Sequence, residues 1–248
     1  MHLGRRSRRA VAPRTRAADQ RGFTLVELLV SLSAGTVLML ALFSILDISV
    51  VQSARSIDRV ESSQRGRTAM EQLIQALHSS CVAASVAPVL TTSDSTTLKF
   101  VSQFGSAPVL TPNEHVVTVQ PDGTKPYNDL VDKVYATTGG SAPNWTFSTT
   151  PTVSKTLAEN VSQATVGGTL QPYFQYFSYA NGAISTTPLT TPLSSADAAD
   201  AVQVTVSMAV GPTDNSSDPH RITNLTDAVV LRYIPASGDQ TVANLPCQ

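Results

Sequence analysis

The hydrophobic and polar positions divide the chain into three stretches, and the first of them is almost continuously apolar. Between Glu27 and Asp47 lie 19 residues without a charged side chain. At about 1.5 Å per helical residue, such a run matches the ~30 Å thickness of a bilayer's hydrocarbon core. The pattern therefore predicts a membrane-spanning helix over residues 23–51.

In the second stretch the hydrophobic positions become periodic. They recur at intervals of three and four residues, which predicts an amphipathic helix. The charged residues between them are predicted to form a solvated face, and we expect a bend near Gly66. Because no proline occurs between Phe23 and Pro88, one long helix is predicted over residues 23–87. The apolar stripe comprises Ile57, Val60, Met70, Leu73, Ile74 and Leu77.

The third stretch, residues 88–248, has the pattern of a β-rich head. Short runs of β-branched and aromatic residues alternate with clusters of Pro, Gly, Asn, Asp and Ser, and Asn181-Gly182 predicts a hairpin. Residues 106–127 and 186–200 are predicted to be loops. The expected fold is α+β, with a long N-terminal helix packed on an antiparallel head. Strands are predicted at residues 97–103, 116–120, 133–137, 145–148, 173–180, 201–209 and 228–234.

Charge is distributed unevenly along the chain. Residues 1–22 contain seven arginines and Asp19, a balance of +6, whereas the other residues carry 10 basic and 17 acidic side chains, a balance of −7. A basic segment before an apolar run predicts that the leader stays in the cytoplasm and the head is exported. The membrane span accounts for these arginines, so direct nucleic-acid binding is not expected.

Two kinds of cleavable export signal are alternatives for the N-terminal segment. A secretory signal has an apolar region of about 7–15 residues followed by small residues, but this apolar run is longer and ends near the bulky Gln52. Twin arginines occur at Arg5-Arg6 and Arg8-Arg9, but neither pair directly precedes the apolar residues. The pattern favours a retained anchor.

Glu27 is the residue that a simple anchor does not explain. A carboxylate this far into an apolar segment costs on the order of 2–3 kcal/mol in lipid, so a partner is expected. Cleavage between Gly22 and Phe23 would create an α-amino group one helical turn away. In a bundle of subunits, that amine could pair with Glu27 of a neighbour and set the axial register.

The segment Arg21-Gly22-Phe23-Thr24-Leu25-Val26-Glu27 resembles the type IV prepilin signature, shared by pili, competence pseudopili and type II secretion pseudopili. The resemblance implies that prepilin peptidase cleaves after Gly22 and methylates Phe23. It also implies that Glu27 is the assembly glutamate. The 22-residue leader and the lack of a proline early in the helix favour a minor pilin or pseudopilin.

A second resemblance covers roughly the last 90 residues. The runs LAENVSQATV, YFQYFSYANGAI, AVQVTVSMAV and DAVVLRY are similar to the bodies of PilW-like and GspJ-like minor subunits. Together the resemblances imply a cleaved leader at 1–22, a helix at 23–87 and a head at 88–248. They imply partners in prepilin peptidase, other pilin subunits and an inner-membrane assembly platform. The alternative is a single-pass anchored binding domain that does not polymerise.

Chemistry-bearing residues are sparse in the predicted head. The histidines lack metal-ligand spacing, and no phosphate loop or hydrolase motif is present, so we expect a non-enzymatic protein without a cofactor or metal. Solvated loop acids are the favoured interpretation of the group around Asp214 and Asp218, and a calcium site is the alternative. Cys81 and Cys247 are expected to form a disulfide outside the cytoplasm, worth roughly 4–5 kcal/mol. Two unrelated buried thiols are the alternative.

Overall fold

The computed structural model of the 248-residue protein describes residues 22–81, 86–103, 111–123, 127–141, 143–214 and 218–231. By its internal contacts the chain divides into two units, Met1–Val51 and Gln52–Gln248. The helix α1 runs from Leu25 to His78, and antiparallel strands dominate the chain after it. The predicted α+β fold is therefore confirmed.

The first unit contains the apolar part of α1. Every described residue of this unit is solvent-exposed, and the helix is long and apolar enough to cross a membrane. Four of its hydroxyl groups bond within the helix, so these four present no unsatisfied donors to an apolar surrounding. The side chains of Ser31, Ser33, Thr36 and Ser44 each donate to a backbone carbonyl three or four residues earlier, at 2.8–3.1 Å.

The helix ends earlier than the residue-87 limit that the absence of proline predicted. Ser79 and Ser80 close the last turn through hydrogen bonds to Gln75, Ala76 and Leu77. The chain then bonds to the sheet instead: the Cys81 N–H donates to the Val101 carbonyl at 2.8 Å. Tertiary pairing with a strand thus ends the helix before Pro88.

The second unit contains a main sheet that has eight strands in the described part of the chain, all paired antiparallel. Two small hairpins accompany it, together with a one-turn helix α2 (Ser195–Asp200) and a 3-10 turn at Pro219–Arg221. The strands are β1 (Thr97–Ser102), β2 (Asn113–Pro121), β3 (Asn128–Ser141), β4 (Asn144–Phe147), β5 (Val153–Ser162), β6 (Thr165–Val166), β7 (Thr169–Leu170), β8 (Phe174–Phe177), β9 (Tyr179–Ala180), β10 (Ala183–Ile184), β11 (Gln203–Val210) and β12 (Thr223–Val230).

The strand order is β1-β2-β3-β5-β11-β12, with β4 paired to β3 and β8 paired to β11. β11 is central: its first half pairs with β8, its last two residues pair with β5, and β12 lies along its other edge. Five consecutive residues at the end of β11, from Val206 to Val210, are buried. Alternation alone predicted burial of only every second residue there, whereas side chains on both faces of this part of β11 are buried.

The core lies between this sheet and the second half of α1. Met70, Leu73 and Leu77 are buried as the stripe predicted, and Ile74 is partly buried against them. Ile57 and Val60 are instead exposed, at 64% and 54%. The pattern correctly identified apolar positions, but it did not show where the sheet meets the helix.

Gly66 has a different role from the bend that we expected. The helix is continuous through this residue, and a Cβ atom placed on it would lie 2.3 Å from Leu225 Cδ1 and 3.0 Å from Val210 Cγ2. With Ser62 and Ala69, which are also fully buried, Gly66 forms a small-residue surface on α1. The missing side chain lets β11 and β12 approach the helix closely.

Each predicted strand overlaps an observed strand, with different ends or interruptions, and one long strand was missed. Residues 232–234 of the last predicted strand lie outside the described residues. The Asn181-Gly182 hairpin is confirmed, with φ angles of 53° and 81° at its two central residues. The predicted strand at 173–180 is divided into β8 and β9. β5 was not predicted. The predicted loop at 106–127 contains β2, of which only residues 116–120 were predicted as a strand, and its residues 106–110 and 124–126 lie outside the described residues. The predicted loop at 186–200 is wrong where it contains α2. Ser194 caps α2 by accepting the Asp197 N–H at 3.1 Å.

Candidate processing and assembly site

The predicted cleavage position lies immediately before the first helical turn. Gly22, Phe23 and Thr24 have no helical conformation, and α1 begins at Leu25. Phe23 is 79% exposed, and a Cβ atom on Gly22 would meet no other atom within 4 Å. The peptide bond between Gly22 and Phe23 is therefore accessible and lies outside the helical hydrogen-bond ladder.

Thr24 fixes the start of the helix, and our sequence interpretation gave it no role. Its hydroxyl oxygen accepts the Glu27 N–H at 3.2 Å, and its carbonyl accepts the Leu28 N–H at 3.1 Å. A Thr followed three residues later by Glu is the capping-box pattern, so the sequence did contain this signal. The cap places Glu27 in the first turn, where the positive end of the helix dipole favours a carboxylate.

The Glu27 carboxylate lies on an exposed and otherwise apolar helix surface. Leu28, Leu29 and Val30 beside it are each at least 57% exposed. Among the residues that the structure describes, no basic group forms an ion pair with Glu27. The pairing of Glu27 with the α-amino group of a neighbouring subunit therefore stays a prediction.

Large apolar side chains continue along this part of α1. The exposed fraction is 65% for Leu38, 74% for Phe43 and 65% for Ile45. A surface of this kind is stable in lipid or against other apolar helices, but it is not stable in water. The features of this segment are thus those of a membrane-anchored protein whose N-terminal helix is available for packing.

The comparison with protein families agrees with this class. Residues 18–43 match the family model of the prokaryotic N-terminal methylation motif. The match supports a type IV pilin-like or pseudopilin-like protein, and it points to a structural rather than an enzymatic role. No curated protein and no solved structure is significantly similar to the chain.

Several charged residues of α1 contact the head, although a solvated face was predicted for them. Arg221 of the 3-10 turn bonds to Asp58 and to Asp214, each at 2.7 Å. Hydrogen bonding to Asp214, together with the charges of both carboxylates, raises the pKa of Arg221 above its ordinary value. Arg55 pairs with Asp218 at 3.0 Å in the same region.

The arginine contacts also bear on the alternative calcium site. In each of Asp214 and Asp218 the Oδ2 atom pairs with an arginine, which competes with a hard cation for that oxygen. Within the described ranges, no cluster of three or more metal-ligating side chains is present. Residues 215–217 lie outside those ranges.

Of the two cysteines, only Cys81 lies in the part of the chain that the structure describes. Cys81 is buried at the end of α1, beside Val86 and Val101 in a small apolar cluster. Cys247 lies outside the described residues, so the Cys81–Cys247 disulfide stays a prediction.

Proposed function

We propose that this protein is a minor pilin or pseudopilin, a structural subunit of a type IV pilus or of a type II secretion or competence pseudopilus. The observation that carries the proposal is the match of residues 18–43 to the methylation motif, at the start of a helix whose apolar side chains are all exposed as far as Val51. In the described part of the chain, the helix provides the polymerisation surface and the β-rich head provides the outer surface.

Processing begins at the leader. Prepilin peptidase binds the chain at the exposed residues Gly22 and Phe23, cleaves the bond between them, and methylates the new α-amino group of Phe23. This assignment is supported by the position of the bond outside the helix. Residues 1–22 are then the removed leader, α1 (Leu25–His78) is the helical stem with its membrane half ending at Val51, and the β-rich region after the helix is the head.

Assembly depends on Glu27. The protein resides as a single-pass subunit in the inner membrane, with its head outside the cytoplasm, until the assembly platform extracts it into the fibre. There Glu27 pairs with the α-amino group of a neighbouring pilin subunit. The exposed apolar residues support this step, because helix packing removes them from lipid without exposing them to water.

Intact-mass measurement tests the processing step. The protein, isolated from cells that express prepilin peptidase, should begin at Phe23 and carry one extra methyl group. A Gly22→Val variant should retain its leader, whereas Gly35→Ala, a matched change inside the helix, should be processed normally. A wild-type chain that retains residues 1–22 would contradict the proposal. The same spectrum without reductant should show a two-hydrogen deficit if Cys81 and Cys247 are paired.

A Glu27→Gln variant distinguishes a fibre subunit from an anchored binding domain. It should enter the membrane and be cleaved, but it should be lost from the sheared fibre fraction and from subunit cross-links. Glu71→Gln provides the control, because Glu71 is an exposed carboxylate further along α1. If neither the wild type nor the Glu27→Gln protein reaches the fibre fraction, the anchored binding domain is favoured. If both reach it equally, the assembly role of Glu27 is contradicted.

A further inference from the structure

A polar cleft lies on the core-facing side of the sheet, under the last turns of α1. On β2, Val117 is buried in the core, so alternation places His115 on the same face. On β3, Leu130 is buried, so Asp132 also points to that face. Core-facing positions are normally apolar, and polar groups there mark places where a fold departs from its own pattern for function.

The two polar side chains on the sheet form a fixed pair. Nδ1 of His115 lies 3.0 and 3.2 Å from the two carboxylate oxygens of Asp132. The imidazole also stacks on Phe100, with ring centroids 5.0 Å apart and planes within 10°. Carboxylate and ring together hold His115 in place, which leaves its Nε2 atom to face other groups. Of the hydrogen bonds described, none joins a serine or cysteine to His115, so the pair does not activate a nucleophile.

Gln72 of α1 shows that the cleft contains unused bonding capacity. Its side-chain oxygen is buried and has no hydrogen-bond partner among the described residues. A buried polar atom without a partner destabilises the fold, so Gln72 does not serve the packing of the head. Gln72 lines the cleft with His115, Asp132 and Lys155, and Lys155 is the partner of Asp132 on β5.

The remaining features define what could occupy the cleft. Its volume is about 350 Å³, at the small end of ligand sites. The charges of Asp132 and Lys155 offset each other, so the site favours a neutral ligand. The lining combines hydrogen-bonding groups with the apolar surfaces of Leu73, Val134 and Leu157.

We propose that this cleft binds a neutral polyhydroxylated ligand, a single saccharide unit. Hydroxyl groups both donate and accept, which suits the amide side chain of Gln72, the ammonium of Lys155 and the Nε2 atom of His115, all of which belong to residues that line the cleft. The C–H face of a sugar ring suits the apolar lining. A zwitterionic peptide suits it less well, because both Asp132 oxygens already bond to His115. The site is a property of the head and does not depend on polymerisation.

The test uses full-length protein in a non-glycosidic detergent, because sugar-based detergents would compete for the cleft. D-glucose, D-galactose, D-mannose and N-acetyl-D-glucosamine are titrated singly and followed by saturation-transfer NMR. At least one should bind with a millimolar dissociation constant. Gln72→Leu should weaken that binding at least tenfold without lowering the melting temperature, since it removes an unpaired buried group.

Two further variants complete the test. Lys155→Met changes an exposed position at the cleft, so a loss of binding there does not reflect unfolding. Gln64→Leu changes an exposed glutamine of α1 outside the cleft and should leave binding unchanged. The proposal is overturned if none of the four sugars binds, if Gln72→Leu binds as the wild type does, or if glycylglycine binds in their place.

Discussion

The two halves of α1 are both rich in apolar residues, yet their surroundings differ completely. In the first unit, all described residues of the helix are exposed, including leucine, valine and phenylalanine side chains. In the second unit, six residues of the same helix are buried, from Ser62 to Leu77. The less hydrophobic half is therefore the one that packs within the subunit. Burial depends on the partner that a helix face meets as well as on its hydrophobicity.

The two halves of α1 also differ in the sizes of the side chains that they present. The packed half combines small residues with a few large ones, because Gly66 and Ala69 let the strands approach while Leu73 and Leu77 fill the core. The exposed half presents bulky side chains with no fixed neighbour, which suits lipid or other apolar helices. Substitutions in the second unit should thus alter the stability of the head, and matched substitutions in the first should not.

Leu73→Ala should produce the largest effect. Leu73 is 1% exposed and lies in the main core cluster, so its truncation should lower the free energy of unfolding by about 3 kcal/mol. Leu42→Ala, at a position 64% exposed in the first half of α1, should leave the stability of the head unchanged. Denaturant titration of detergent-solubilised protein measures both, with the fluorescence of Trp145, the single tryptophan, as the reporter.

Equal effects of these two leucine variants on stability would contradict the difference between the two halves of α1. If Leu42→Ala also destabilised the head, the apolar half of the helix would have to pack within the same subunit. If Leu73→Ala had no effect, the core assignment would be wrong.

Gly66→Val should have the next largest effect. Its Cβ alone would meet Leu225 at 2.3 Å, and the added methyl groups would press on Val210, so we expect a loss of about 2 kcal/mol from overpacking. Gly35→Val is the matched change, because a Cβ atom on Gly35 meets nothing within 4 Å. Thermal unfolding of the head should distinguish the two. A neutral Gly66→Val variant would contradict the close approach of β12 to α1.

Removal of a hydroxyl group should lower stability in the head but not in the first half of α1. The buried hydroxyl of Tyr176 bonds to the carbonyl oxygens of Asp94 and Thr97 at 3.0 and 3.2 Å, and burial raises its pKa. Tyr176→Phe leaves these carbonyls without that donor, so we expect a loss of about 1–2 kcal/mol in denaturant unfolding. Thr36→Val removes a hydroxyl whose bonds are local to the helix and should not alter the head. If Tyr176→Phe left the free energy of unfolding unchanged, solvent would have to replace the hydroxyl as the donor to these carbonyls.

The two halves of α1 also differ in how much of their structure could be predicted from the sequence. The extent of the apolar segment, its helical state and the position of Glu27 depend on neighbouring residues alone, so local patterns were sufficient. The apolar stripe correctly predicted that Leu73 and Leu77 are buried, but Ile57 and Val60 are exposed. Periodicity identifies a helix face, but it does not show how far the sheet extends along that face.

Features that depend on distant pairing could not be predicted. β5 has a mostly polar sequence, and its strand conformation comes from pairing with β3 and β11. The pair of His115 and Asp132 results from the register of β2 against β3, which no local signal specifies. Thr24 is different, because its capping pattern was present in the sequence and was overlooked.

Arg221→Gln should produce the smallest effect of the series. Arg221 bonds to Asp58 of α1 across 163 positions of sequence, but the ion pairs are accessible to solvent, and such pairs contribute little in water. We expect the melting temperature of the head to fall by less than for Tyr176→Phe at low salt. The difference from wild type should vanish near 1 M NaCl, where the Debye length is about 3 Å. Arg67→Gln, at an exposed position of α1, should show no difference at either salt concentration. If Arg221→Gln lowered the melting temperature by the same amount at both salt concentrations, the Arg221 side chain would stabilise the head by packing rather than by charge. Its contact with α1 would then act in the same way as the apolar contacts of Leu73 and Leu77.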